Sequence, residues 1–176
     1  MTREIDTLVC VDTNGWIQYL DIVLSLIDES KPYVVYAPFE VIQNLNALRQ
    51  SSQGVADARV ARRAFRKILQ LVREKSRNLQ IQTQLDENTV SALYPNQDKI
   101  ISACLVLKSK GITLSLLTLD QERISGAYAA AIDIFDHKDI ETLPMTVPIS
   151  APNADDDAQL RQSKPMLALK YNLKSI

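Results

Sequence analysis

Three aspartates lie at the ends of predicted strands or at the start of a predicted helix, where α/β folds carry their functional residues. Asp12 follows the apolar run 7–11, Asp120 lies two residues after the β-rich run 113–118, and Asp98 heads an apolar helical segment that continues to residue 108. In parallel sheets, ligands bind outside the carboxyl ends of the strands. Carboxylates gathered there are hard oxygen ligands for a divalent cation. The spacing therefore predicts a metal site at one edge of a sheet.

Each aspartate also has a simpler interpretation. Asp12 could cap the helix that follows it, Asp98 could be a first-turn acid favoured by the helix dipole, and Asp120 could be a turn residue. Because a right-handed βαβ arrangement brings two strand ends and the start of a crossover helix to a common crevice, three such acids together favour a site. Asn14 and Thr118 are candidates for orienting the acids through hydrogen bonds, with ordinary turn capping as the alternative.

Several short motifs resemble those of the PIN-domain ribonucleases, in the same order and at matching spacing. They are Val-Asp-Thr-Asn-Gly-Trp-Ile at 11–17, Asn-Gln-Asp-Lys-Ile-Ile at 96–101 and Leu-Leu-Thr-Leu-Asp at 116–120. The opening motif and the segment 38–43 resemble most the eukaryotic branch that contains the endonuclease of nonsense-mediated mRNA decay. The resemblance covers residues 5–145 and implies a single-domain, three-layer α/β/α fold with a parallel central sheet.

The resemblance also implies metal-dependent cleavage of single-stranded RNA. Asp12, Asp98 and Asp120 would hold Mg²⁺ or Mn²⁺ and position a water for attack on a phosphodiester. Clustered carboxylates with a bound cation can neutralise phosphate charge and lower the pKa of a bound water.

One departure from the family pattern removes charge from the predicted site. Where the family usually has Glu-Leu-Asp, this chain has Asn44, Leu45 and Asn46. Asn44 still offers a carbonyl oxygen, but fewer charged ligands should weaken metal binding. Glu40 lies one turn earlier on the same helical face and could substitute through water. The alternative hypothesis is therefore a weakly active or inactive PIN module, an interaction scaffold that pairs with another PIN domain.

Other classes of phosphate chemistry fit less well. A haloacid-dehalogenase phosphatase needs a second aspartate two residues after the first, but position 14 is occupied by Asn14. The set of acidic and basic residues that a response-regulator receiver needs is missing. The chain has four glycines and none of the glycine-rich phosphate loops.

Composition fits one α/β domain. The chain has 176 residues, 46% of them hydrophobic, which is enough for a sizeable core. Its net charge of −1 neither favours nor opposes nucleic acid, so local charge must decide. We expect Cys10 and Cys104 to be buried in a reducing compartment. With no apolar stretch of membrane-spanning length and no signal pattern, we expect no membrane association and a cytoplasmic location, with a nuclear one as an addition.

The elements that must position these residues can be predicted from hydropathy. Strand-like runs at 7–11, 33–36, 79–83 and 113–118, with a short one at 132–135, alternate with helices at 15–29, 39–50, 55–77, 97–109 and 121–130. Such alternation favours a parallel sheet flanked by helices.

The helix predicted at 55–77 carries the strongest local charge. It contains eight basic and two acidic residues, a net charge of +6. Arg59, Arg63 and Arg66 belong to one stripe that could follow an RNA backbone, while Phe65, Ile68, Leu69 and Val72 could face the core. The alternative is a solvated helix face.

The last segment of the chain differs in amino-acid composition from the rest. Residues 146–176 form a C-terminal extension with prolines and an acidic run at 155–157. Its apolar residues could pack on the domain or on a partner.

Single-stranded RNA is the expected ligand, with other mRNA-decay factors or a second PIN domain as expected protein partners. The lone His137 is predicted to be a surface residue.

Overall fold

The computed structural model describes residues 7–28, 32–51 and 55–135. These residues all lie in the unit that spans Met1–Met145. The predictions for the C-terminal extension and for His137 fall outside the described residues.

A five-stranded parallel sheet forms the centre of the described domain. Its strands are β1 (Thr7–Val11), β2 (Tyr33–Ala37), β3 (Leu79–Ile81), β4 (Leu114–Leu117) and β5 (Asp133–Ile134). They lie in the order β3-β2-β1-β4-β5, and each neighbouring pair is parallel. The chain builds outward from β1 on one side and then returns to place β4 on the other. The topological switch point therefore lies between β1 and β4, where open α/β sheets bind ligands.

Seven helices connect and cover the strands in the described residues. They are α1 (Thr13–Gln18), α2 (Leu20–Leu26), α3 (Phe39–Gln50), α4 (Val55–Arg73), α5 (Gln84–Leu93), α6 (Lys99–Ser109) and α7 (Gln121–Ala129). The predicted α/β/α fold with a parallel central sheet is confirmed. None of the helices in the described ranges is long and apolar enough to cross a membrane.

One prediction about the helices was wrong, and one helix was missed. The single helix expected at 15–29 is two helices, because Tyr19 leaves helical geometry with φ −122° and ψ 31°. Helix α5 was not predicted, since Leu85 and Leu93 are exposed and leave a weak apolar pattern. A local signal does start it: Thr83 and Asp86 form a reciprocal capping box.

The core is centred on β1 and β4. Val9, Val11 and Leu116 are no more than 1% exposed, as expected for strands covered on both faces. Cys10 and Cys104 are buried free thiols. Burial, a hydrogen bond to Cys104 and that residue's charge raise the pKa of Cys10 well above its usual value, so its thiol stays protonated.

On α4 the predicted division into faces holds in part, because Leu69 and Arg66 are each only partly buried. Phe65 and Ile68 are buried, but Val72 is 44% exposed, so the prediction that it faces the core was wrong. Val72 lies in the last turn of α4, one residue before the helix ends. Arg59 and Arg63 are exposed, as their stripe requires.

Candidate functional site

Asp12 stands at the switch point, directly after β1 and before α1. Its backbone N–H donates to the carbonyl of Leu117 at 3.2 Å, which joins the carboxyl ends of β1 and β4. Its Oδ1 accepts from the backbone N–H of Gly15 at 2.7 Å, so Asp12 caps α1. The capping interpretation is thus correct for this oxygen. The side chain is fully buried.

Gly15 allows α1 to approach the strand ends this closely. A Cβ at this position would lie 2.8 Å from Cγ1 of Val11 and 3.3 Å from both the carbonyl of Leu117 and Oδ1 of Asp12. Any side chain would therefore push α1 away from β1 and β4, and would disturb the bond that orients Asp12.

Thr118 connects Asp12 to the third aspartate. Its hydroxyl donates a hydrogen bond to Oδ2 of Asp12 and accepts one from the backbone N–H of Asp120 at 3.2 Å. The predicted orienting contact between Thr118 and an acid is thus present in the structure. Asn44 donates from its amide to the hydroxyl of Thr13 at 3.3 Å, while Asn14 is exposed in the first turn of α1.

Asp98 and Asp120 each cap the helix that they precede. Asp98 Oδ1 accepts from the backbone N–H groups of Ile100 and Ile101 at 2.9 and 3.0 Å. Asp120 Oδ1 accepts from those of Glu122 and Arg123 at 2.9 and 3.1 Å. The two helix N-termini thus anchor both carboxylates at the same edge of the sheet as Asp12.

Arg123 brings Asp12 and Asp98 together. Its Nη1 donates to Asp12 Oδ2 at 3.0 Å, its Nη2 donates to Asp98 Oδ2 at 3.0 Å, and its Nε lies 3.3 Å from both oxygens of Asp98. The planar guanidinium group matches the geometry of carboxylates. The side chain of Arg123 is only 17% exposed and that of Asp12 is fully buried, so water screens the ion pair between these two residues weakly.

The sequence analysis did not identify Arg123. One signal could have found it, since Arg123 lies three residues after Asp120 and therefore in the first turn of the helix that starts at the predicted site.

Electrostatics at this edge follow from that arginine. Desolvation raises the pKa of Asp98. Several interactions outweigh it and lower the pKa overall: the hydrogen bond from Arg123, the backbone hydrogen bond from Ile101, the charge of Arg123 and the backbone hydrogen bond from Ile100. Desolvation lowers the pKa of Arg123, and its bonds and ion pairs with Asp98 and Asp12 raise it above its usual value. Both groups are therefore held in their charged forms.

Glu40 lies within electrostatic range of the same cluster. Burial raises its pKa and the negative charge of Asp98 raises it further, while Lys99 and Arg123 act in the opposite direction. Its Oε2 is buried and has no hydrogen-bond partner among the described residues. Lys99 itself pairs with Glu87 at 3.1 Å.

The three aspartates in this arrangement do not fit Mg²⁺ or Mn²⁺. Such a cation needs several oxygen ligands that are free to coordinate it. Here Asp12 accepts three hydrogen bonds, both oxygens of Asp98 face Arg123, and Asp120 Oδ1 faces its own helix. Within the described ranges, no group of three His, Cys, Asp or Glu residues is arranged to hold a metal ion.

The pH dependence of stability should report the ion pair of Asp98. Its pKa is lower in the folded state, so the stabilisation is present above the unfolded pKa of about 3.9 and is lost as the pH falls through the folded value. Asp98→Asn cannot follow this titration. Between about pH 7 and about pH 3, the wild type should lose up to about 1 kcal/mol more unfolding free energy than the variant, a modest difference because water screens the half-exposed carboxylate.

Urea unfolding of both proteins at each pH would measure that difference. Parallel loss of stability in the two proteins would show that folding does not lower the pKa of Asp98.

The fold is that of a PIN domain, and the chain belongs to the PIN-domain family: the family's model matches residues 9–138. The predicted family is therefore confirmed. Among solved structures, the chain is similar to the PIN domain of human SMG5, at 19% sequence identity over 75% of this chain and 94% of that chain, with a TM-score of 0.49. Curated protein sequences gave no match.

Proposed function

We propose that this chain is a PIN module that binds single-stranded RNA without metal-dependent cleavage. The observation that carries the proposal is the guanidinium of Arg123, which lies 3.0 Å from carboxylate oxygens of both Asp12 and Asp98. Membership of a family of nucleases supports RNA as the ligand. The amides Asn44 and Asn46, in place of the family's acids, agree with a site that has lost its metal function.

The setting that we propose is mRNA decay, in the cytoplasm with a nuclear pool. The motifs at 11–17 and 38–43 support it through their resemblance to the nonsense-mediated decay branch. Other decay factors, or a second PIN domain whose acids do the cleavage, are the protein partners that this role requires.

Cleavage of a labelled, unstructured RNA tests the absence of metal chemistry. We expect the wild type, with Mn²⁺ or Mg²⁺, to cut no faster than Asp12→Asn or than an EDTA control. Metal-dependent cleavage that is lost in Asp12→Asn would refute the proposal.

The same result would establish the second candidate function, a metal-dependent endoribonuclease. One observation favours that candidate: Asp12 and Asp98 are close enough to share one guanidinium group, and Asp120 lies on the same edge of the sheet. In that function these three aspartates would be the ligands of Mg²⁺ or Mn²⁺.

The basic stripe of α4 is the proposed path of the RNA backbone. Arg59, Arg63 and Arg73 are exposed along this helix, and Arg63 also pairs with Asp21 at 2.9 Å where both side chains are about half exposed. Exposed pairs of this kind contribute little stability, so phosphate can compete for Arg63. Arg66 is partly buried and belongs to the stripe only in part.

Charge reversal of this stripe should weaken RNA binding. For Arg59→Glu, Arg63→Glu and Arg73→Glu combined, we expect at least about a tenfold loss of affinity at low salt. The slope of log affinity against log salt should fall by about 2, since each phosphate contact on a single strand contributes about 0.7. Fluorescence anisotropy with a labelled oligonucleotide measures both quantities.

Lys110→Glu, compared with Arg59→Glu alone, supplies a control with the same change of charge, because Lys110 is exposed beyond the end of α6 and outside the stripe. An equal loss of affinity in this control would indicate a general charge effect. Unchanged affinity in the triple variant would remove α4 from the RNA-binding surface.

A further inference from the structure

Arg123 makes contacts that are unusual for a surface arginine. Its Nη1, Nη2 and Nε all lie within 3.3 Å of carboxylate oxygens, on two aspartates that come from different parts of the chain. One of those aspartates, Asp12, is fully buried, and Arg123 is the cation that pairs with it. A buried carboxylate without such a partner would carry a large desolvation penalty.

The other cation near this edge is engaged elsewhere. Lys99 pairs with Glu87, which is on α5, and is about half exposed. Two carboxylates, Asp12 and Asp98, therefore share the single positive charge of Arg123. Oδ2 of Asp12 and Oδ2 of Asp98 each lie 3.0 Å from a nitrogen of this one guanidinium group, so a single cation lies between the two carboxylates.

We propose that Arg123 blocks metal binding at this acidic edge. Its guanidinium group occupies the position between Asp12 and Asp98 that a divalent metal ion would need. This inference rests on the proposed function, in which the wild-type protein does not cleave through a metal. It adds the reason: the acids are retained, but the metal position is closed from within by the protein's own side chain.

Shortening Arg123 to a neutral side chain should open the position. Oδ2 of Asp12 and both oxygens of Asp98 would lose their charged donor, and two uncompensated negative charges would remain. Glu40, with a buried Oε2 that lacks a hydrogen-bond partner among the described residues, adds an oxygen within electrostatic range. Oxygen ligands with excess negative charge are what Mn²⁺ binds.

Mn²⁺ binding to the full chain tests the proposal without any RNA. By electron paramagnetic resonance or calorimetry, we expect no uptake by the wild type up to about 1 mM Mn²⁺, the weak end of protein sites for hard cations. For Arg123→Gln we expect one Mn²⁺ per chain with at least about a tenfold tighter dissociation constant than that limit. Mn²⁺ should also raise the melting temperature of the variant and leave that of the wild type unchanged.

Two controls separate the site from general charge effects. Arg123→Gln combined with Asp98→Asn should lose the Mn²⁺ uptake, because one of its two carboxylate ligands is gone. Arg123→Lys keeps a positive charge and should bind no Mn²⁺. If Arg123→Gln does not fold alone, Arg123→Met, which fills a similar volume without a charge, takes its place in the same titration.

Two results would overturn the proposal. One is Mn²⁺ uptake by the wild type that Asp98→Asn abolishes, since the position would then be open with Arg123 present. The other is a folded neutral variant that takes up no Mn²⁺. These results are distinguishable from failure of the proposed function. Metal-dependent RNA cleavage by the wild type refutes the proposed function. A wild type that does not cleave RNA, together with a neutral variant that takes up no Mn²⁺, refutes only the role of Arg123.

Discussion

Asp12→Ala is expected to reduce the free energy of unfolding by about 3–5 kcal/mol, the loss that follows when one partner of a buried ion pair is removed. The substitution would leave Arg123, only 17% exposed, with Asp98 alone. It would also remove the acceptor for the Gly15 N–H and for the Thr118 hydroxyl. Urea unfolding followed by the fluorescence of the single tryptophan would measure the change.

Asp120→Ala is the matched control for that substitution. Asp120 caps α7 from the same edge and forms no ion pair with Arg123 in the described residues, so we expect a loss of about 1 kcal/mol. The Asp12→Ala, Arg123→Ala double variant should be less destabilised than the sum of its single variants, with a coupling of about 1–3 kcal/mol. Additive losses would mean that the pair between Asp12 and Arg123 contributes no interaction energy.

Trp16→Ala should have an effect of similar size, about 3–5 kcal/mol, through a different mechanism. Trp16 lies in α1 one residue after Gly15 and is 0% exposed, so truncation would leave a large cavity in the core beside this helix. Urea unfolding followed by circular dichroism would measure the loss, because the substitution removes the fluorophore.

Two further variants identify the cause. Trp16→Phe should cost less than half as much, because it keeps an aromatic ring and removes an indole N–H that is buried without a partner among the described residues. Leu85→Ala, at a position 70% exposed, should stay within about 0.5 kcal/mol of the wild type. A small effect of Trp16→Ala would show that the space collapses around the smaller side chain.

The sheet could be predicted from sequence because its strands are short apolar runs bounded by polar residues. Strands covered on both faces are apolar at nearly every position, and the runs at 7–11 and 113–118 show this directly. The aspartates that follow these runs had to lie at one edge, since the strands are parallel. Helix α3 was also predicted with its observed bounds, Phe39–Gln50.

What the sequence did not reveal depends on contacts between distant residues. Arg123 reaches Asp12 across 111 positions, and only its place in the first turn after Asp120 separates it from the other 19 of the chain's 20 basic residues. The interruption at Tyr19 is equally hidden, because the apolar residues around it suit one continuous helix. Helix α5 was missed since periodicity detects buried faces, and Val90 is the one buried residue of this helix.

The strand order has a consequence for how the molecule is made. On the ribosome, β1 emerges about a hundred residues before β4, the neighbour that completes its pairing. Until then one edge of an apolar central strand stays open, and such edges are templates for wrong association. The acidic edge cannot assemble earlier, because Arg123 follows β4. A nascent chain that ends before β4 would therefore expose both the strand edge and an Asp12 that lacks its cation.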